Sequence, residues 1–192
     1  MVLELERLEN IIFQLLLSTE SRTTDFLELI VGDHLYPVVT EQRMVGTPSS
    51  DGRSIILRES CLLTEKNNHM ISQNIALIYP ESIPLELYSR LLQKKEGIGK
   101  VMKTLEIESN RNIIDTGYRS GCEIVNLFGE SCSLLFGEVE RLAYKEYTIH
   151  FSGYPHTGIH LLEYFNPGML LIDPLSMNTN IPKGGHHIYE QG

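Results

Sequence analysis

Ser54-Ile-Ile-Leu-Arg-Glu-Ser-Cys-Leu-Leu63, the polar run Glu65-Lys-Asn-Asn68 and Met70-Ile-Ser-Gln-Asn-Ile-Ala-Leu-Ile-Tyr79 decide the fold of this chain. The two outer stretches are rich in β-branched and apolar residues and are bounded by turn formers, which predicts an antiparallel hairpin. Upstream, Val38 and Val39 open a further strand that runs through Gln42 and Met44 to Val45. Gly46-Thr-Pro-Ser-Ser-Asp-Gly-Arg53 is a turn by composition. Strands that follow one another in hairpin order, without regular βαβ crossovers, favour an antiparallel sheet.

Helical periods flank this core. Leu5, Leu8, Ile12, Leu15 and Leu16 recur at the spacing of one helix face in the first segment. A second short helix starts near Thr23 or Thr24, either of which could cap it, turns Leu27 and Ile30 inward, and ends at Gly32. Pro80 and Pro84 break the sheet. A helix over 85–93 follows, with Leu87, Leu91 and Leu92 on its apolar side. After the Gly97-Ile98-Gly99 turn comes a short helix over 100–105, then a strand over 107–116. Residues 117–140 are the least readable part, with a helix expected near Cys122 to Leu127. Strands over 147–151 and 159–165 form a last hairpin. The tail after Asn166 is rich in Pro, Asn and Gly, so residues 168–192 are expected to wrap the surface or fray.

Size and charge narrow the classes. With 192 residues and 42% hydrophobic content, one domain is the default. Sixteen basic against 25 acidic residues give a net charge of −9. That sign argues against nucleic acid as a partner. It makes each placed cation informative if the ligand is an anion. No run approaches the roughly 20 apolar residues of a membrane span, and the N-terminus lacks the pattern of a secretion signal. Cys61, Cys122 and Cys132 match no zinc ribbon, so free thiols in a reducing cytoplasm are expected. His150, His156 and His160 are expected to be exposed or hydrogen-bonded rather than to hold a metal. Gly97-Ile98-Gly99-Lys100 lacks the spacing of a phosphate loop.

Two charges stand on otherwise apolar strand faces. Residues two apart share a face. Arg58 therefore sits with Ile56 and Leu62, and Glu163 with Ile159, Leu161 and Phe165. If these faces point inward, each charge must meet a partner, a ligand or water. A buried arginine suits a carboxylate and a buried glutamate suits a hydroxyl. Pairing of the two with each other, or a solvated face, remains open at this level, because Glu59 lies on the face opposite Arg58.

The order of these features resembles the chorismate pyruvate-lyases, over about residues 15–167. The residues that carry the resemblance are Ser21-x-Thr23, Arg58-Glu59 in LRESCLL, Gly97-Ile98-Gly99, and the strand Arg111 to Gly117. Ser152-Gly153-Tyr154-Pro155 and Leu162-Glu163-Tyr164-Phe165 before Pro167 complete it. The resemblance implies an α+β fold: a six-stranded antiparallel sheet with helices on one side and a ligand enclosed under helix-turn-helix flaps. It implies an enzyme that converts chorismate to 4-hydroxybenzoate and pyruvate without metal or organic cofactor. Arg58 would bind the ring carboxylate and Glu163 the ring hydroxyl. Backbone at Ile98 and the adjoining Gly99 would also meet the carboxylate, and Arg22 falls where another backbone contact is made. A second family arginine is missing, since the hairpin strand reads Ser72-Gln73-Asn74; Lys100 is a candidate replacement. The expected partner is therefore a small molecule, and the chain a monomer or weak homo-oligomer. A non-catalytic binder or sensor of small aromatic acids is the alternative.

Overall fold

The computed structural model describes residues 2–45, 54–137 and 139–171. The 46–53 turn and the tail beyond residue 171 lie outside them. Six strands form one antiparallel sheet: β1 (Leu35–Val45), β2 (Ile55–Thr64), β3 (Met70–Ile78), β4 (Ser109–Arg119), β5 (Leu142–Phe151) and β6 (Thr157–Phe165). Their order is β1-β2-β3-β6-β5-β4. Two three-strand meanders thus meet where β3 pairs with β6, with Asn74 opposite Glu163 and Ala76 opposite Leu161. This is the expected α+β architecture.

Four helices, α1 (Val2–Ser18), α2 (Thr23–Val31), α3 (Leu85–Leu92) and α4 (Ile98–Thr104), cover one face of the sheet. The alternation explains the choice of face. Ile56, Ala76, Ile78, Ile149, Ile159 and Leu161 project from the strands onto Leu87, Leu91, Val101 and Met102 of α3 and α4. Leu62, Ala143 and Phe165 meet Phe13, Leu16, Leu17 and Leu27 of α1 and α2. Each such aliphatic side chain stabilises the fold by about 1.5–3 kcal/mol on burial. Gly158 is where β6 passes under the connection after β3. A Cβ there would stand 2.4 Å from the Phe151 ring and 2.6 Å from the Ser82 carbonyl, so only glycine fits.

Several elements differ from their sequence reading. In α1 the buried residues are Phe13, Leu16 and Leu17, while Leu8 and Leu15 are both 53% exposed. The Leu5 side chain lies outside the described residues. Apolar residues lie on more than one side of this helix, and docking against α2 and β5 buries Leu16 of the predicted face together with Phe13 and Leu17. Leu92 is likewise exposed, whereas Leu87 and Leu91 are buried. Neither threonine caps α2: its N-cap is Arg22, without a side-chain bond, and Gly32 closes it in the left-handed conformation at φ 64°. β5 begins five residues earlier than expected, and α4 begins at Ile98 rather than Lys100.

No α-helix forms near Cys122. A single 3-10 turn at Gly121–Glu123 is followed by irregular chain with one bridge between Val125 and Ser131. This segment lies over the sheet face opposite the helices, placing Leu127 and Cys132 on Leu57, Ile75 and Leu77. Side chains of the sheet hold it in place of a backbone ladder. Gln73 donates to Ser133 O at 3.3 Å and accepts from Leu135 N at 2.8 Å. The Tyr164 hydroxyl donates to Val125 O at 2.6 Å. Arg119 lies 3.9 Å over the Tyr144 ring. Among the described residues, no helix is long and apolar enough to cross a membrane.

Candidate functional site

The helix-covered face is apolar except along one diagonal. Arg58 on β2, Asn74 on β3, Glu163 on β6, and Lys145 and Tyr147 on β5 are all buried there. Register explains the grouping, since Lys145 stands directly opposite Glu163 and Glu163 opposite Asn74. Arg58 lies opposite Ala76, two residues further along. Both charges of the sequence argument therefore point between sheet and helices.

The two are partnered differently. The Arg58 guanidinium donates from Nη1 to Gln42 Oε1 at 2.6 Å and to Leu91 O at 2.9 Å, and from Nη2 to Glu96 O. It thereby ties the end of α3 and the turn before α4 to β2. Arg90 holds the Glu96 carboxylate from the other side. Burial brings the Arg58 guanidinium down to about 10. Three of its five N–H groups serve these bonds, and the residue is not part of the cavity wall described next.

Glu163 lines a small cavity of about 50 Å³, together with Ser60, Asn74, Tyr147 and Leu161 from the sheet. Its other wall comes from the N-terminal ends of α2, at Arg22–Thr24, and α4, at Gly97–Gly99. Thr23 Oγ1 donates to Glu163 Oε2 at 2.9 Å. The Tyr147 hydroxyl shares this network with both residues. Burial raises the Glu163 carboxyl above the usual range. Arg111, the Thr23 bond, Lys145 and the Tyr147 bond partly offset that rise. The Tyr147 phenol is pushed up by burial and by Glu163. Lys145, lowered by burial, donates to Leu16 O at 3.4 Å and to Thr19 O, at the C-terminal end of α1.

Arg111 completes the mouth. It lies 5.4 Å from the Tyr147 ring centroid and donates to the Ser21 carbonyl, fastening the α1–α2 connection to β4. Arg22 pairs with Asp25. A second cavity of about 340 Å³ adjoins it, and Arg22, Thr24, Pro37, Leu62, Gly97 and Gly99 line both spaces. An ideal Cβ on Gly99 would meet nothing within 4 Å.

Of the residues singled out from sequence, Arg22, Ile98, Gly99 and Glu163 share the inner cavity; Arg58 stands beyond its wall. Thr23, Tyr147, Lys145, Asn74 and Arg111 were not assigned to the site. Thr23 looked like a cap. Lys145, opposite Glu163, lies before the strand expected from residue 147, while Tyr147 stands at that strand's first position. On the opposite face His160 Nε2 lies 2.8 Å from Glu146 Oε1, and Thr148 Oγ1 lies 3.2 Å from His150 Nε2. Among the described residues no group of His, Cys, Asp or Glu is placed to hold a metal. Burial raises the Cys61 thiol to about 11, a poor nucleophile.

No family model matches the chain. A stretch of 135 residues, 67% of the chain, is 27% identical to the pre-mRNA-processing ATP-dependent RNA helicase PRP5 of Vanderwaltozyma polyspora. The chain spans 15% of that helicase, a likeness that assigns no family. Among solved structures it is similar to PhnF from Mycobacterium smegmatis, with a TM-score of 0.51 and 8% identity. The match covers 78% of this chain and 65% of that one. It is also similar to the separate effector domain of PhnF, with a TM-score of 0.51 and 10% identity, covering 77% of this chain and 90% of that domain. These likenesses establish the fold: a six-stranded antiparallel α+β domain.

Proposed function

We propose that the chain is a lyase of the chorismate pyruvate-lyase type, releasing pyruvate from chorismate to leave 4-hydroxybenzoate. The observation that carries this reading is the buried Glu163 carboxyl in a small cavity, held by Thr23 and Tyr147 beneath the ends of α2 and α4. A carboxyl so placed accepts the C4 hydroxyl of the substrate and fixes the ring relative to its breaking bonds. In the reaction the C3–O ether bond and the C4–H bond break. The proton ends on the methylene carbon of the departing enolpyruvyl group, and the ring becomes aromatic. Electrons balance within the substrate, and the protein supplies position and charge.

The inner space, about 50 Å³, compares with about 30 Å³ for one water in the liquid. A ring enters when the α2 and α4 ends part, into the space that continues outward. The ring carboxylate would meet the backbone N–H groups of Ile98 and Gly99, which line the inner space. The test is incubation with chorismate. Stoichiometric pyruvate and 4-hydroxybenzoate support the lyase, and intact chorismate across a range of pH and temperature refutes it.

A second reading is a non-catalytic binder of a small aromatic acid. On β3 the residue opposite Glu163 is Asn74 rather than a cation, and the similar PhnF domain is an effector domain. It predicts tight 4-hydroxybenzoate binding with chorismate left intact.

A further inference from the structure

Lys145 is a buried charge that lines neither of the two cavities. It is 2% exposed and stands directly opposite Glu163 across the β5–β6 ladder. α1 ends without a basic residue in its last turn, so its terminal carbonyls need donors from elsewhere. Lys145 supplies them, donating to Leu16 O at 3.4 Å and to Thr19 O. Two more fastenings follow along the chain. Arg111 on β4 donates to Ser21 O, and Thr23 donates to Glu163 at 2.9 Å. The stretch from Leu16 to Thr23 is thus tied in turn to β5, β4 and β6, and its end, Arg22–Thr24, walls the inner cavity.

A neutral donor could cap α1 without the cost of burying an ammonium group. Here that cost is set against attraction to Glu163 and to Glu20. Glu163 in turn has few charges to balance it. Lys145 on β5 and Arg111 on β4 are the cations acting on it, and Thr23 on α2 and Tyr147 on β5 bond to it. Arg22, on the same cavity wall, pairs with Asp25. Ser60 on β2, Asn74 on β3 and Gly97–Gly99 before and within α4 bring no side-chain charge. We infer that Lys145 is a positioning residue of this site: it fastens the end of α1 so that Thr23 meets Glu163, and its charge supports the Glu163 carboxylate as a hydrogen-bond acceptor. This rests on the reading of Glu163 as the acceptor of a ring hydroxyl.

Calorimetry of 4-hydroxybenzoate binding from about pH 5 to about pH 8 tests it. The ionised carboxyl is the stronger acceptor, so affinity rises with pH as Glu163 ionises. Lys145→Gln keeps a donor for the α1 carbonyls and removes the charge. It should bind about tenfold more weakly at neutral pH, with the rise displaced to higher pH. Lys145→Arg should restore the wild-type profile. A Lys145→Gln profile like that of wild type, or a loss equal at every pH, would overturn the inference; the second result is that of a merely structural residue. If the glutamine variant does not fold, the arginine variant decides: a wild-type profile supports the inference and a displaced one overturns it. Failure of the wild-type chain to bind the probe would overturn the ring-binding reading alone. The role of Lys145 is then read on the unliganded chain, from the NMR titration of the Glu163 carboxyl carbon, assigned with Glu163→Gln. Displacement to higher pH in Lys145→Gln supports it, and no displacement overturns it.

Discussion

Arg58 and Glu163 present the same signature in sequence, a charge on an apolar strand face, and the structure treats them in opposite ways. Around Arg58 the chain closes: two main-chain carbonyls and a glutamine side chain take the guanidinium, and α3 and its following turn are fastened to β2. Around Glu163 the chain leaves space: a cavity, two hydroxyls, and the ends of two helices that carry no side-chain cap. A buried charge satisfied by backbone is chiefly part of the scaffold. A buried carboxyl held away from full compensation beside a cavity is a candidate ligand site. The comparison separates positions where sequence alone saw two equal candidates.

The largest effect that could break this contrast concerns stability at Arg58. Arg58→Ala strands the Leu91 and Glu96 carbonyls and leaves a void. We expect a loss of about 3 kcal/mol or more, or roughly 6–12 °C in Tm for a chain of this size. Arg58→Lys should recover little, because a single ammonium cannot reach all three acceptors in one plane. A thermal scan showing less than about 1 kcal/mol lost would mean that the guanidinium is held mainly for ligand.

Glu163→Gln should act with the opposite sign. The folded-state pKa of Glu163 is raised, so its carboxyl costs nothing below the unfolded value near 4.3. The folded state loses stability as pH rises through the raised value. The glutamine variant, with Thr23 and Tyr147 still as partners, should therefore melt above wild type at pH 7–8, with the gap closing toward pH 4. The same variant should lose turnover by about 10²-fold or more. Wild type melting higher than the variant at pH 8 would show Glu163 to be a stabilising ion-pair member instead.

Much of the scaffold was legible in the sequence. The β2–β3 and β5–β6 hairpins announce themselves because turn residues bound runs of β-branched and apolar residues. The face of Glu163 follows from its neighbours at two-residue spacing. What escaped did so for physical reasons. Leucines around α1 leave its docked side to tertiary contacts. The segment covering the far face has no period, because Gln73 and Tyr164 side chains hold it rather than a ladder. Thr23 carries both the chemistry of a helix cap and that of a hydroxyl donor, and only the fold brings Glu163 within 2.9 Å of it. Lys145 was hidden because buried lysines are rare, and its partners are carbonyls at the end of a helix far away in sequence.

The most direct measurement is a crystal structure of the chain with 4-hydroxybenzoate. The account predicts the ligand hydroxyl within about 2.6–3.2 Å of the Glu163 carboxyl. The ring should lie between β6 and the parted ends of α2 and α4, with Arg58 still bonded to the Leu91 and Glu96 carbonyls. A ligand bound elsewhere, with Glu163 still closed onto Thr23 and Tyr147, would contradict it.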